Sequence, residues 1–463
     1  MDILTTGCGL LAAWAAAPAF DAFLRWRRLA APQGGARDES GTRAPRKILA
    51  VIPSRAEGAR VGDLAGDLKR ESEREEKEKK EKISSKVEEA GAADGASPVV
   101  AAPRGCLDVL VLLDGPDPDA EARLAREGVE YLSKKSPGPS KGHALAFVAE
   151  ELAQRLDSYD FIVVFDADMR LPEGFFRDLN VPEGTEAFQL PVRPSGVPAP
   201  GAPRVEALSL AEARLDDAAR DAESLPVRLR GKAMGLTPRT FRLGPAAATR
   251  TTAEDSEATL ALLAKGVAVR ALRGPFAFDE PTPAATAMAR SRARWFGGHL
   301  KLLATGFGDL ARCFVRKPLG TFVLACDLWL RPRLFVLLSL AFLAAFSDIG
   351  LLFFSSKGAW TSLGAGTAGA AAGAMSHAAT GGGSLSARPI TLLVFLFLLS
   401  FEAKATLAFE WLSLVALRRH IGYPSEVPPV SVADLLASLS MWVRAAGRAL
   451  LAPSRWHRAR PPA

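Results

Sequence analysis

Apolar residues in this chain come in runs of two lengths. Short runs occupy Lys47–Pro53 (KILAVIP), Leu107–Leu113 (LDVLVLL) and Phe161–Phe165 (FIVVF), and each is closed by a proline or by an acid that follows it. Runs this short, rich in Val, Ile and Leu and closed by turn residues, predict buried β-strands. Between them, residues 118–135 have helical composition and 141–155 place apolar side chains at helical spacing. Strands alternating with helices predict a mostly parallel sheet covered on both faces. Ligands of such sheets bind beyond the carboxyl ends of the strands. The polar residues that follow the runs, Arg55, Glu57, Asp114, Asp166 and Asp168, are therefore the candidates for chemistry.

Long runs at 3–24, 332–354 and 389–411 are each long enough to span a bilayer. A cleaved signal peptide is the alternative for the first. It is disfavoured because Met1-Asp2 brings no positive side chain, whereas Arg25, Arg27 and Arg28 follow the run. The positive-inside bias then places 25–331 in the cytoplasm and the Gly/Ala/Ser-rich stretch 356–388 outside. Residues 312–330 mix apolar and basic positions and read as an interfacial helix. Residues 68–90 are dense in Lys and Glu, which predicts a solvated, salt-bridge-laced helix or an unstructured insertion.

The 463 residues carry a net charge of +7 and are 48% hydrophobic yet 24% charged, a combination that requires segregation along the chain. Basic residues flank the apolar runs instead of forming one stripe with aromatics, so no nucleic-acid partner is expected. Cys8, Cys106, Cys313 and Cys326 form no C-x-x-C pair, which removes the common zinc and redox motifs.

Three motifs carry chemistry. Asp166-Ala-Asp168 directly follows a strand, where two carboxylates can share a hard cation with a diphosphate; elsewhere Asp-x-Asp is often only a turn. Glu254-Asp255 opens a helical stretch to Gly266, where acids also serve as an ordinary helix start. Arg290-Ser-Arg-Ala-Arg-Trp295, before Gly297-Gly298, offers arginines for a diphosphate and an indole for a ring, or simply a basic segment near a membrane.

In order, these motifs resemble those of glycosyltransferase family 2, in particular the membrane-bound polysaccharide synthases related to cellulose synthase and ceramide glucosyltransferase. Ile52-Pro-Ser-Arg-Ala-Glu57, Asp114-Gly115, Ser140-Lys-Gly-His-Ala-Leu145, Asp166-Ala-Asp168, Leu229-Arg-Gly-Lys-Ala-Met234, Ala253-Glu-Asp255 and Arg290–Trp295 resemble the family's motifs over about residues 47–300. The resemblance implies an α/β fold: a Rossmann-like nucleotide-diphospho-sugar transferase domain of the GT-A type, with a mostly parallel sheet and transmembrane helices. It implies an inverting hexosyl transfer from a nucleotide-diphosphate sugar, of the UDP type, to a glycan or a membrane lipid, with Mn2+ or Mg2+. By the same resemblance Asp255 is the general base. Glu57, Asp114, Lys141, Asp166 and Arg294 hold the donor. Trp295, Glu254 and Met234 face the acceptor, and Asp168 with Asp166 binds the metal. Ser291 stands where the family has glutamine and Ala253 where it has threonine, and Arg55-Ala56 replaces the usual pair before Glu57. A catalytically inactive membrane scaffold is the competing class.

The expected plan is a transmembrane anchor over 1–28 and a linker over 29–46. A family 2 domain follows over 47–311, with a charged insertion at about 68–104. The interfacial helix and two transmembrane helices span 312–420, and a basic amphipathic tail runs over 421–463. The lipid bilayer is an expected partner. The plasma membrane is the expected location, or the Golgi if the source is eukaryotic.

Overall fold

The structure is a computed structural model that describes residues 42–43, 47–91, 106–280, 285–318, 320–321, 324–325 and 430–451. All belong to one compact unit, 31–329 with 423–463. The expected spans at 3–24, 332–354 and 389–411 and the 356–388 loop lie outside the described residues. Among the described residues no helix is long and apolar enough to cross a membrane.

The three short apolar runs form the sheet's centre. Strand β2 (Lys47–Ser54) lies between β3 (Cys106–Leu113) and β5 (Phe161–Val164), parallel to both. Alternate residues serve opposite faces. Ile48, Ala50, Ile52, Val109, Val111, Phe161 and Val163 pack beneath Val61, Leu64 and Leu68 of α1 (Val61–Gly91) and Leu124 of α2 (Pro118–Glu127). Leu49, Val51, Leu110, Leu112, Ile162 and Val164 meet Ala144, Leu145 and Val148 of α3 (Lys141–Glu151) on the other face. Each fully buried Leu, Ile or Val contributes about 1.5–3 kcal/mol, so this two-faced core fixes where the strand ends point.

A fourth strand, β4 (Glu130–Ser133), extends the edge beside β3. Residues 118–135 are thus a helix and a strand, not one helix. Gly128 in the left-handed region at φ 63 ends α2, its N–H returning to Ala125. Short α4 (Ala153–Leu156) follows α3. On the other side, the sheet runs β5, β10 (Met234–Leu236), β8 (Ala187–Gln189), β11 (Val269–Ala271). Strand β10 is antiparallel to both neighbours, so the sheet is mostly parallel with one reversed strand. A small second sheet joins β6 (Met169–Arg170), β12 (Ala277–Asp279) and β9 (Val192–Pro194), and β1 (Thr42–Arg43) pairs with β7 (Val181–Pro182).

The charged segment is helical as far as Gly91, and its first residues still pack against the sheet. Leu68 and Glu71 of α1 are buried, and Ser72 Oγ donates to the Leu107 carbonyl at 2.6 Å. Beyond that point Lys77 and Glu81 make an exposed i,i+4 pair.

The unit also holds helices α5 (Ala202–Ala222), α6 (Pro238–Leu243), α7 (Glu254–Ala264), α8 (Ala285–Thr305), α9 (Phe307–Arg316) and α10 (Val432–Leu451). The helix α9 falls partly within the expected interfacial segment and starts before it. It buries Cys313 against Leu260 and exposes Phe307, Phe314 and Val315. The expected tail is in part the docked helix α10. Asp434 accepts from Ser431 N and Oγ, and also from Gly201 N at 2.5 Å at the head of α5. Met441 packs with Ala202, Met288 and Ala289.

Candidate active site

The carboxyl ends of β2, β3 and β5 open on one side of the sheet, and the charged residues expected there are present. Asp114, just past β3, is fully buried. Its carboxylate accepts from Gly138 N (2.9 and 3.2 Å) and pairs with Lys134 (3.0 Å) and Arg55 (3.8 Å). It clamps the 134–138 loop beside the cleft. Glu57 follows β2 through Ala56 at φ 52, and the next N–H, of Gly58, is held by Asp117 Oδ2.

Asp166 and Asp168 follow β5, and β6 begins immediately after them, fixing the turn to the second sheet. Lys141, at the start of α3, donates to Asp166 Oδ1 at 2.5 Å and to the Gly231 carbonyl at 2.6 Å. Burial would raise the Asp166 pKa, but Lys141, Lys232 and Arg294 hold it below the usual carboxylate range. Lys232 pairs with Asp279 at the end of β12. Burial would discharge that amine, yet Asp279, Asp166 and Asp168 keep it more basic than usual. Among the described residues no group of three or more His, Cys, Asp and Glu is placed to hold a metal ion. Asp166 and Asp168 are two carboxylates, two positions apart just past β5. That number fits a hard cation of the Mg2+ kind, which takes one or two carboxylates and fills its shell with phosphate and water oxygens.

Glu254 and Asp255 begin α7 and are brought to the same cleft by two close approaches. Gly142 of α3 lies against the Ala248 carbonyl and the Glu254 Cβ, with no room for a side chain. Gly298 of α8 lies so near α7 that a Cβ there would stand 2.7 Å from Ala253 N. Gly231, at φ 77, sits over the Asp255 side chain. Burial and then the Asp255 charge push Glu254 up to about 7. Asp255 goes the other way: burial would raise it, but the Arg228 guanidinium and the N–H and hydroxyl of Ser256 lower it. The Asp255 Oδ1 accepts from Ser256 N (2.7 Å) and Oγ (3.1 Å), and Oδ2 accepts from Arg228 at 3.4 Å.

Arg294 lies in the field of Glu254, Asp166 and Asp255. Burial still lowers its pKa from the ordinary arginine value. Trp295 is 39% exposed on α8. One face of its ring carries the Arg292 guanidinium at 4.1 Å, and Arg292 pairs with Glu206 of α5 and lies 5.6 Å over Trp442 of α10. Met234, expected toward the acceptor, is instead a core residue at 1% exposure, packed in the sheet where β10 pairs with Val164 and Gln189.

Sequence reading missed Arg228, Lys232, Asp279, His299 and Gln189. The last holds the 228–233 turn in place: its Oε1 accepts from Arg230 N, and its Nε2 donates to the carbonyls of Leu190, Lys232 and Ala233. Lys232 lies inside the Leu229–Met234 segment that resembles a family motif, without a role of its own there, and Arg228 directly precedes it.

No family model and no curated protein sequence matches this chain. Among solved structures it is similar to the mannosyltransferase PcManGT from Pyrobaculum calidifontis, solved in complex with GDP-Man and Mn2+. Identity is 14% and the TM-score 0.40, over 86% of this chain and 99% of that one. It is also similar to glucosyl-3-phosphoglycerate synthase from Mycobacterium tuberculosis, solved with Mn2+, uridine-diphosphate and glucosyl-3-phosphoglycerate. There identity is 18% and the TM-score 0.33, over 58% of this chain and 80% of that one.

Proposed function

We propose that this chain is a membrane-anchored, inverting family 2 glycosyltransferase. It moves a hexose from a nucleotide-diphosphate sugar, of the UDP type, to a polysaccharide or glycan acceptor, with its catalytic unit in the cytoplasm. The observation that supports this most is the meeting of Lys141, Asp166, Asp255 and Arg294 from four separate elements past the sheet's carboxyl ends. Two cations facing carboxylates in a partly dry cleft suit a diphosphate and its leaving charge.

Lys141 and Arg294 bind and orient the diphosphate. Asp255 accepts the acceptor hydroxyl's proton as that oxygen bonds to the anomeric carbon. The opposite carbon–oxygen bond breaks, and its electron pair leaves with the nucleoside diphosphate. Trp295 offers its free face to the acceptor. Asp166 and Asp168 would hold a Mn2+ or Mg2+ ion, which when bound neutralises diphosphate charge.

A lipid acceptor, as in a glycolipid synthase, is the second reading. The exposed Leu300, Leu303 and Phe307, continuing past Trp295 along α8 and into α9, favour it.

The test is turnover of a panel of nucleotide-diphosphate sugars by the detergent-solubilised full chain, with Mn2+, Mg2+ or EDTA. Metal-dependent release of one nucleoside diphosphate supports the reading and names the donor. Absence of both turnover and binding across the panel overturns it and leaves the scaffold reading.

A further inference from the structure

His299 lies four residues beyond Trp295, outside every motif that drew notice in the sequence. Its Nδ1 is 2.8 Å from the Trp295 carbonyl, which only accepts. Nδ1 therefore carries a proton. Its Nε2 is 3.3 Å from Arg228 Nη2, which only donates, and 3.1 Å from Ser256 Oγ. Nε2 must accept from Arg228, so the ring is the neutral Nδ1–H tautomer.

The protons then distribute without conflict. The two on Arg228 Nη2 go to His299 Nε2 and Asp255 Oδ2. The Ser256 hydroxyl proton goes to Asp255 Oδ1, which also takes the Ser256 N–H. Oδ1 is thus occupied at 2.7 and 3.1 Å, while Oδ2 has one long contact at 3.4 Å and faces Gly231. An imidazolium at 299 would turn an N–H toward the guanidinium and drive Arg228 from this position.

We propose that His299 is a positioning residue. Acting through Arg228, it holds Asp255 so that Oδ2 is the atom that receives the acceptor's proton. The proposal rests on the glycosyltransferase reading and adds to it a residue, a tautomer and a named oxygen. Gly298, next in sequence, explains how the imidazole comes so close: α8 meets α7 there without an intervening side chain.

The test compares His299→Phe, which keeps a flat ring but removes the acceptor, with His299→Gln, whose amide oxygen reaches the Nε2 position. Both are measured as full-length protein, with melting temperature and nucleoside-diphosphate affinity read beside kcat and the acceptor KM. The expected result is a kcat for His299→Phe lower by about 10- to 100-fold, the scale of a misplaced reacting group. Nucleotide affinity and melting temperature should stay near wild type, and His299→Gln should recover most of the loss. Wild-type turnover with an unchanged kcat in His299→Phe overturns the inference alone. Loss of nucleotide binding and kcat together, unrescued by glutamine, also overturns it, in favour of a purely structural role. A wild type that turns over no donor overturns the glycosyltransferase reading and the inference with it.

Discussion

Glu254 and Asp255 are adjacent at the start of α7, and their surroundings drive their acidities apart. Glu254 is raised to about 7 by burial and its neighbour's charge, while Arg228 leads the groups that hold Asp255 down. Two carboxylates separated in this way can divide labour, one ionised throughout the neutral range and one titrating within it.

The raised acid gives a pH dependence with a definite sign. A carboxylate whose folded pKa lies above its unfolded value supports stability at low pH and loses that support as pH rises through the folded value. Glu254 should therefore lower stability between about pH 4.5 and 7. Glu254→Gln should flatten the fall in melting temperature over that window, as read by thermal unfolding in detergent at a series of pH values. An unchanged slope would show that Glu254 ionises freely.

Asp255→Asn should separate binding from chemistry. Removing a positioned general base costs about 100- to 10,000-fold in rate. Nucleoside-diphosphate binding should persist, because the groups proposed to hold it lie on other elements. Isothermal titration beside a turnover assay decides this, and equal losses in both would remove Asp255 from the base role.

Gly298→Ala tests the contact between α8 and α7. The added Cβ would meet Ala253 N at 2.7 Å and Thr252 Oγ1 at 2.8 Å, so the helices must separate. Overpacking of this kind costs about 1–3 kcal/mol. The displaced α8 also carries Arg294 and His299 away from Asp255, so activity should fall further than stability. A melting curve and a kcat measured on the same preparation check the pair of outcomes.

Asp434 is held down to about 2, first by the Ser431 N–H and then by that of Gly201, with Arg204 adding to them. A depressed carboxylate stabilises above its unfolded pKa, and the benefit disappears as pH falls toward the folded value. Docking of α10 should therefore weaken in acid, and Asp434→Asn should show the weakening already at neutral pH. Protease cleavage near residue 430, followed over pH, reports it; equal cleavage of variant and wild type would contradict it.

The centre of the sheet was readable because parallel strands buried on both faces print unbroken apolar runs, as in β2, β3 and β5. Strand β4 was not, since its Glu130-Tyr-Leu-Ser133 lies at an edge and is half wet. The strands β8 to β12 are three residues long, too short for any period to show. The acids of the site were visible because they follow those runs directly. Arg228, Lys232 and His299 were not, because their positions depend on contacts across the chain: Gln189 fastening one turn, and a glycine letting two helices touch. Met234 shows the opposite error, a position matched by motif that packing claims for the core.

The docking of α10 bears on the order in which these contacts can form. Arg292 is shared by Trp295, by Glu206 and by Trp442 near the end of the chain. The sheet and its acids can assemble while the chain is still being made. The contact of Trp442 with Arg292 has to wait for α10, the last described element, to be made. Until then the sheet has its core and cleft, and the arginine that covers the indole is held by Glu206 without its second aromatic neighbour.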